Sequence, residues 1–441
     1  MACLSKEGLA AMVERAPAFA MPRPDRCEHV VIVGGGFGGL TAALALRRVP
    51  VRVTLIDRRN YHLFQPLLCQ VATAGLSPAD IASPIRAILR HQRNTTVLLG
   101  KVTGIDVAGK AVLLDDARVT YDQLIVATGA RHAYSDHEEW ERFAPGLKKI
   151  DDATDIRRRI LLAFERAENS SDEIEQQRLL SFVIVGGGPT GVEMAGAIAE
   201  LARKALSTDF RNIDPRSARV VLIESGCRLL GSFPEKLSSV AKRALEKLGV
   251  EVRLGARVAR CDAAGVIVAN ERIEAETIIW AAGVMGSPAA KWLDAEKDRA
   301  GRVVVGRDLL LPGHRDVFVI GDTARVTAAD GTPLPGIVPV AKQQGAYVAR
   351  VIGARIRGRP PLPPFHYRHL GTMATIGRKS AVVDLGKLRL SGFIAWLLWG
   401  IVHVYYLVGS RNRIGVMMQW LWAYVTFERG ARLITGHDTS G

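Results

Sequence analysis

The hydrophobic residues of this chain form short unbroken runs that are followed by glycine. Residues 30–33 and 182–185 consist only of Val, Ile and Phe, which is typical of strands buried on both faces of a parallel sheet. Each run leads through a glycine cluster into a segment rich in alanine, which predicts a tight turn and then a helix. The pattern therefore predicts an α/β protein in which one strand, turn and helix unit occurs twice.

Both predicted turns have the spacing G-x-G-x-x-G. The first turn comprises Gly34, Gly36, Phe37, Gly38 and Gly39. The second turn comprises Gly186, Gly188, Pro189, Thr190 and Gly191. In this motif the first glycine permits a sharp turn, the second lets a pyrophosphate approach the backbone, and the helix N-terminus faces the phosphate charge. One copy is a weak signal, but two copies in this setting predict two bound dinucleotides.

An acidic residue follows the next apolar run of each repeat. Asp57 ends the run 51–56, and Glu224 ends the run 220–223. An acid about 20 residues beyond the glycines can accept hydrogen bonds from a ribose diol, and it repels a 2′-phosphate. Glu224 therefore favours NADH over NADPH, although Arg228 lies close to it in sequence. The alternative interpretation of either acid is a solvated strand end.

Further apolar runs end in small or acidic residues. Residues 121–126 lead into Ala127, Thr128 and Gly129, residues 277–282 lead into Gly283, and residues 317–321 lead into Asp322. These runs predict additional strands, although a Gly-Asp pair after a strand is by itself most often a turn. The charged residues 151–178 predict an exposed helix and connector between the two repeats.

A different hydrophobic pattern occupies the C-terminal region. The 21 residues between Arg389 and Arg411 contain no charged side chain, and as one helix they would reach about 30 Å, enough to span a bilayer. A second uncharged run of 14 residues, 414–427, is too short to span. Either a spanning helix or a pair of helices lying in the membrane interface fits, and the short second run favours the pair. A buried hairpin or a dimer interface is the remaining alternative.

The charge distribution adds to this interpretation. The 441 residues carry a formal net charge of +15, and the region from residue 355 onward has 12 Lys or Arg against 3 Asp or Glu and four of the seven Trp. Basic residues beside clustered Trp favour a membrane surface over nucleic acid. The five cysteines have no metal or disulfide spacing and suit a reducing compartment. Residues 1–26 lack a convincing targeting pattern and predict a frayed or weakly helical extension.

The order of these units resembles that of flavoprotein reductases with two dinucleotide-binding domains. More closely, residues 60–72, 75–78, 191–193 and 339–345 are similar to type II NADH dehydrogenases, which are single-chain, non-pumping NADH:quinone oxidoreductases. The resemblance extends from about residue 27 to residue 433. It implies two Rossmann-type domains, the second inserted in the first, and a C-terminal membrane-associating helical segment.

The resemblance also implies the cofactors and their domains. Non-covalent FAD would occupy the first fold, with Asp322 near its ribityl or phosphate region, and NADH would occupy the inserted fold. The implied ranges are an N-terminal extension at 1–27, an FAD domain at 28–148 and 305–356, an NADH domain at 149–304, a linker and quinone-site region at 357–387, and membrane-associating helices at 388–441. No metal is expected.

Three residues correspond to functional positions of the family. Glu193 matches a glutamate near the flavin and nicotinamide that tunes hydride transfer or moves protons. Gln343 matches the second glutamine of a quinone-site pattern whose first glutamine is Pro339 here, and Lys379 matches a lysine near the quinone headgroup. Their alternatives are a helix-dipole acid, a helix cap and a surface lysine. Cys69 stands where the family often has Tyr, and we assign it no redox role.

The implied partners are a membrane quinone and the bilayer surface on the cytoplasmic face of the cell membrane, and a homodimer is compatible with the resemblance. Three alternatives remain at this stage. A sulfide:quinone oxidoreductase needs two redox cysteines, and no pair is evident. A soluble reductase of a protein electron carrier would not need the Trp-rich tail. A non-enzymatic NADH sensor would lack quinone-dependent turnover.

Overall fold

The structure is a computed structural model that describes residues 27–426 and 429–435. The predicted N-terminal extension therefore lies outside the described residues except for Cys27. The described chain folds into two compact units. The first unit contains residues 27–62, 83–131 and 284–369. The second unit contains residues 63–82, 132–283 and 370–435.

A five-stranded parallel sheet forms the centre of the first unit. Its strands, in spatial order, are Val317–Val319, Gln123–Val126, His29–Val33, Arg52–Asp57 and Thr95–Leu99. The predicted run 30–33 is the fully buried middle strand. Val33 pairs with Ile56 on one side and Val126 on the other. Because parallel strands in this register end at the same edge, the first glycine cluster, Asp57 and the turn after Val126 lie along one edge of the sheet.

Two long helices of the first unit cross each other at glycine. Its helices are Phe37–Ala45, Ile85–Leu89, Ala289–Trp292 and Val338–Ile356. A Cβ on Gly345 would collide with the carbonyl of Gly38, so the two backbones approach closely at this point. The remaining strands of the unit are Val102–Asp106, Ala111–Leu114, Arg118–Thr120, Val303–Val305 and Ala324–Val326.

The second unit repeats the same parallel arrangement. Its four strands, in spatial order, are Val250–Arg253, Arg219–Ile223, Ser181–Val185 and Thr277–Trp280. Val185 pairs with Ile223 and with Trp280, so the second glycine cluster and Glu224 also meet at one sheet edge. The duplication that the hydrophobic pattern predicted is therefore present in the fold.

The charged segment 151–178 differs from its prediction. It forms two helices, Ile150–Asn169 and Glu173–Leu179, and the longer one is not an exposed connector, because Ile160 and Phe164 on one face are fully buried. Its polar residues occupy the other face, as in any amphipathic helix. The remaining helices of this region are Leu68–Ala72, Pro78–Ile81, Pro189–Glu200 and Glu235–Lys247, with a π-helical turn at Leu201–Ala205.

Short strands complete the described chain. The strands Val258–Asp262, Gly265–Val268 and Glu271–Glu274 form one antiparallel sheet. The strands Thr372–Thr375, Ala381–Asp384 and Arg389–Gly392 form another. The short strands Tyr61–Leu63, Ala82–Pro84, Ala130–His132 and Val284–Gly286 lie at the points where the chain passes between the units.

The long uncharged C-terminal run is not one helix. After Gly392, which has a positive φ of 76°, it forms the 14-residue helix Phe393–Tyr406. Gly409, with φ of 91°, separates this helix from Ser410–Thr426. A pair of helices was the favoured prediction, and the single long helix is not formed. Within the described residues, no helix combines the length and the apolar character needed to cross a membrane.

Candidate active site

The first glycine loop has the geometry that its motif predicted. Gly34 has a positive φ of 106°, and a Cβ there would overlap the backbone of Ala127, so both conformation and space require glycine. Gly36 caps the helix Phe37–Ala45. A Cβ on Gly36 would meet no atom within 4 Å, so open space lies directly before the helix N-terminus, where a phosphate group fits.

The second loop repeats these features in the second unit. Gly186 has a φ of 110°, and a Cβ there would lie 2.7 Å from the carbonyl carbon of Ala281. Gly188 is as open as Gly36, with nothing within 4 Å of an added Cβ. Pro189 occupies the first helical position, where its missing N–H costs no hydrogen bond. Gly283, on the neighbouring turn, has a positive φ of 88°.

Each acid after the second strand accepts a hydrogen bond from its own glycine loop. The amide of Gly35 donates to Asp57 Oδ2 at 2.6 Å. The amide of Gly187 donates to Glu224 Oε2 at 2.5 Å, and that of Gly226 donates to Oε1 at 2.6 Å. Both carboxylates are thus held beside the loop at which a nucleotide ribose would lie. Since each oxygen has more than one lone pair, a ribose hydroxyl can still donate to them.

The turns around Asp322 lie at the same edge of the sheet as the first glycine loop. The Thr128 hydroxyl lies 2.5 Å from that of Ser287 and 3.2 Å from that of Thr323, and Gly129 has a positive φ of 71°. The Asp322 carboxylate is half-buried, and among the described residues none donates a hydrogen bond to it. It is available to accept hydrogen bonds from a ligand's hydroxyl groups.

Sequence reasoning missed two residues that hold these loops in place. Buried Gln344 accepts a hydrogen bond at 2.6 Å from the amide of Gly321, next to Asp322. His62 is buried and donates from Nδ1 to the carbonyl of Gly35 at 2.9 Å, and burial lowers the pKa of this histidine. Both residues lie inside the segments 60–72 and 339–345 that resemble the family. A buried polar residue in such a segment was the signal that could have identified them.

Glu193 is half-buried in the second unit. It belongs to the first turns of the helix Pro189–Glu200, and the amide of Thr375 donates to its Oε1 at 3.3 Å. Cys69, on the helix Leu68–Ala72, hydrogen-bonds the same carboxyl. Burial raises the pKa of Glu193 to about 7, against the hydrogen bonds that favour its charged form. A carboxyl with this pKa can hold or release a proton near neutral pH.

The thiol of Cys69 stays protonated beside this carboxyl. It is buried, its Sγ lies 3.9 Å from the carbonyl oxygen of Thr190, and burial together with the charge of Glu193 raises its pKa well above the usual value. The other described cysteines, Cys27, Cys227 and Cys261, are also free thiols. Cys69 is therefore a hydrogen-bonding neighbour of Glu193.

The other two predicted site residues have different surroundings. Lys379 is exposed, has a φ of 63°, and places its ammonium 4.9 Å from the ring centre of Tyr424 on the last described helix. Gln343 lies in the first unit and makes two backbone hydrogen bonds to Arg368, donating to its carbonyl at 2.8 Å and accepting from its amide at 3.0 Å. Its side-chain amide keeps one N–H and one lone pair for a ligand.

The two C-terminal helices expose large apolar side chains. We call these residues the apolar face; they are Phe393, Ile394, Leu397, Ile401, Tyr405, Ile414, Met417, Met418, Leu421, Trp422 and Val425, each between 45% and 69% exposed. Clustered exposed apolar side chains of this kind are typical of a membrane or protein interaction site. The opposite side is anchored to the second unit, since Trp399 is buried and Trp420 Nε1 donates to Gln70 Oε1 at 2.7 Å.

Comparisons with known proteins agree with this geometry. Residues 28–345 match the pyridine nucleotide-disulphide oxidoreductase family, and residues 369–427 match the NDH2 C-terminal domain. The chain is 46% identical to the type II NADH:quinone oxidoreductase Ndh of Mycobacterium tuberculosis, over 94% of this chain and 91% of that protein. It is 47% identical to NdhA of the same organism, over 92% and 89%. In fold it is similar to NDH2 from Plasmodium falciparum in complex with NADH, with a TM-score of 0.84 at 20% identity, covering 93% and 100%.

The fold and the paired nucleotide loops define an oxidoreductase of the pyridine nucleotide-disulphide class. Within that class, the chain belongs to the type II NADH:quinone oxidoreductases. It is a membrane-associated, non-pumping enzyme that uses NADH and FAD. The predicted fold class, enzyme class and cofactors are thereby confirmed. The domain ranges and the individual site residues stay predictions.

Proposed function

We propose that the chain is a peripheral respiratory enzyme on the cytoplasmic face of the cell membrane, passing electrons from NADH through FAD to a membrane quinone. The observation that carries this proposal is the duplication of one nucleotide loop, each copy with open space before a helix N-terminus and an acid held beside it. The functional domains that we propose remain residues 28–148 with 305–356 for FAD and 149–304 for NADH.

The residues of the first loop fit FAD. Gly36 and the helix N-terminus would hold the pyrophosphate, Asp57 the adenosine ribose, and Asp322 the ribityl or phosphate region. When bound, FAD supplies the hydride acceptor for NADH and the donor of two electrons to the quinone. The protein's own contribution is to fix position and to exclude water from the reacting atoms.

The second loop fits NADH in the same way. Gly188 leaves room for the pyrophosphate, and Glu224 would accept hydrogen bonds from the ribose diol while its charge repels a 2′-phosphate. Because Glu224 is fixed by two backbone amides, it cannot easily turn away from that phosphate. We therefore propose NADH as the preferred nucleotide.

Glu193 would release and take up a proton during quinone reduction. Reduction of a quinone to a quinol takes up two protons with the two electrons, and a carboxyl with a pKa of about 7 can give up a proton and regain it near neutral pH. The hydrogen bonds from Cys69 and Thr375 hold it in one orientation. Cys69 acts here as a positioning residue.

We propose a quinone contact for Gln343 in the first unit and, as a separate proposal, for Lys379 in the second unit. The free N–H of Gln343 can donate to a quinone carbonyl, and its two bonds to Arg368 fix the direction of that N–H. Lys379 places a positive charge on the same unit as the C-terminal helices. The side chain of Pro339 has no N–H to donate. Gln343 would therefore provide the hydrogen bond to the quinone without a second glutamine at that position.

Steady-state oxidation of NADH by the FAD-loaded full-length protein tests the proposal. We expect turnover to require a quinone and to exceed that with NADPH. The single variants Gln343→Ala and Lys379→Ala should raise the KM for quinone while NADH alone still reduces the flavin at the parental rate.

Flavin that NADH reduces but no quinone reoxidises would contradict the quinone assignment and favour a sensor or a reductase of a protein carrier. The exposed Lys236 gives a matched control for the lysine change, since Lys236→Ala removes the same charge from the helix Glu235–Lys247. If this control altered the KM for quinone as much as Lys379→Ala, the role of Lys379 would be refuted.

A further inference from the structure

A groove with a volume of about 340 Å³ lies in the second unit, and neither the nucleotide loops nor Glu193 line it. It forms where the helix Glu235–Lys247 packs against the strands Ala381–Asp384 and Arg389–Gly392. The side chains that matter are Arg243, Lys247, Arg378, Ser380 and Ser391. They provide three cations and two hydroxyl groups, and no acidic residue lines the groove.

Two of the three cations, Arg243 and Lys247, belong to the helix Glu235–Lys247. Arg243 and Lys247 are exposed and one helical turn apart, and in the described part of the chain neither forms an ion pair. The nearby acid, Glu246, pairs with Lys242 at 3.6 Å instead. Like charges four residues apart destabilise a helix, so an anion bound between them would relieve a repulsion that the protein leaves uncompensated.

The groove ends where the apolar face begins. Gly392 lines the groove and is also the N-cap of the helix Phe393–Tyr406, whose partial positive charge adds to that of the cations. One turn into this helix, Ile394 and Leu397 are 67% and 45% exposed. A cationic groove at the polar edge of an apolar surface has the arrangement that headgroups and acyl chains require.

We infer that this groove binds the phosphate of an anionic phospholipid whose acyl chains lie along the apolar face. The inference rests on the proposed membrane attachment through the C-terminal helices. Free phosphate has the same charge, but only a lipid uses the groove and the adjoining apolar surface together. The groove would therefore give the enzyme a preference for anionic membranes and fix the orientation of its second unit on them.

Vesicle flotation of the full-length, FAD-loaded protein tests the inference. Binding is compared on vesicles of phosphatidylcholine alone and of an equal mixture of phosphatidylcholine and phosphatidylglycerol. The parent should bind the mixture more tightly. The variant Arg243→Gln/Lys247→Gln should bind the mixture about thirtyfold more weakly than the parent, since it loses two basic residues and each one near a charged surface contributes about 1 kcal/mol. It should bind pure phosphatidylcholine as tightly as the parent does.

The matched control is Lys236→Gln/Arg211→Gln, which removes the same charge from the second unit but no residue of the groove, and in the described part of the chain neither of these exposed side chains forms an ion pair. Both double variants should oxidise NADH with a water-soluble quinone at the parental rate, which shows that they fold. The control should keep most of the preference for the anionic vesicles. An equal loss of this preference in the two variants would refute the groove as the binding site and leave only non-specific electrostatic attraction to the membrane.

The other outcomes separate the groove from the attachment itself. Parent protein that binds neither kind of vesicle would refute the attachment and the inference with it. Parent protein that binds phosphatidylcholine but shows no preference for phosphatidylglycerol would refute the groove alone. If inorganic phosphate raised the thermal midpoint of the parent but not of Arg243→Gln/Lys247→Gln, and no lipid preference existed, the groove would be a site for soluble phosphate and the inference wrong.

Discussion

At the scale of single residues, the most informative group is the carboxyl of Glu193. Burial disfavours its charged form and raises its pKa to about 7. The two neighbours that hydrogen-bond it, Cys69 and Thr375, are not charged acids or bases at this pH. Glu193 is thus the group of this cluster that exchanges a proton near neutrality, and its environment explains why.

The variant Glu193→Gln should lose this proton exchange while keeping the shape of the side chain. We expect quinone turnover to fall by about a hundredfold, at the low end of general acid–base effects. The remaining turnover should lack the inflection near pH 7 that we expect of the parent. The measurement is kcat against pH with a soluble quinone, and an unchanged inflection would refute the role.

The same variant has a stability signature. Because the folded protein binds this proton more tightly than the unfolded chain, the stability contributed by neutral Glu193 is complete below the usual pKa of 4.5 and is lost as the pH rises through about 7. Glu193→Gln carries no such penalty. Its thermal midpoint, relative to the parent, should therefore rise between these two pH values.

Glu224 sets the nucleotide preference in our proposal. Glu224→Gln removes the charge that would face a 2′-phosphate, and its amide oxygen can still accept one of the two backbone hydrogen bonds. The ratio of kcat/KM for NADPH to that for NADH should rise by about tenfold, a modest share of a close charge repulsion.

The corresponding acid of the first loop provides the control. Asp57→Asn should leave the ratio for the two nicotinamide nucleotides unchanged and should lower the amount of FAD that purifies with the protein. If Asp57→Asn changed the nucleotide ratio and Glu224→Gln did not, the assignment of the two loops would be reversed.

At the scale of elements, the crossing of two helices supports the first loop. Phe37–Ala45 and Val338–Ile356 approach so closely that a Cβ on Gly345 would collide with the carbonyl of Gly38, and a Cβ on Gly38 would lie only 3.3 Å from the carbonyl oxygen of Ala341. A glycine in a helix costs about 1 kcal/mol relative to alanine, so the close crossing must return at least that much in packing. It also fixes the helix N-terminus that faces the open space beside Gly36.

The variant Gly345→Ala should separate these helices. We expect a loss of about 1–3 kcal/mol in the free energy of unfolding, as for overpacking in a core, and weaker retention of FAD. Gly415→Ala is the control, because a Cβ at that helical position meets nothing within 4 Å; it should be neutral or stabilising. Equal behaviour of the two variants in thermal unfolding would show that the crossing is not tight.

At the scale of the whole molecule, our proposal is that the apolar face attaches the enzyme to the membrane surface. Burying side chains such as Ile394, Ile401 and Leu421 in a bilayer would release water from surface that folding leaves exposed. Attachment along this surface needs no spanning helix. The enzyme would then reach a quinone that stays in the membrane.

The variant Ile394→Glu/Ile401→Glu/Leu421→Glu should abolish sedimentation with vesicles and turnover of vesicle-embedded quinone, while turnover of a water-soluble quinone is retained. Ile174→Glu is the control, since Ile174 is 72% exposed and lies outside the C-terminal helices. A truncation before residue 388 is less suitable, because it removes the strand Arg389–Gly392 from its sheet. Full membrane binding by the triple variant would contradict the attachment.

Local patterns were sufficient to predict much of this protein. Apolar runs, G-x-G-x-x-G spacing and an acid at the next strand end depend on residues that are close in sequence, so they predicted both nucleotide loops. The class of enzyme followed from the resemblance to a known family. The uncharged C-terminal runs likewise predicted two helices with an apolar surface. These features follow from backbone sterics and from hydrophobic periodicity, which act locally.

Only the tertiary structure revealed what depends on residues far apart in the sequence. The helix Ile150–Asn169 has a buried face because Phe164 stacks on Phe182 of the parallel sheet. The charge density of the segment did not indicate this contact. The pKa of Glu193 depends on Cys69 and Thr375, more than a hundred residues away on either side. The cationic groove joins three separate segments. Desolvation and charge clustering arise from the packing of such distant segments, and no local pattern specifies them.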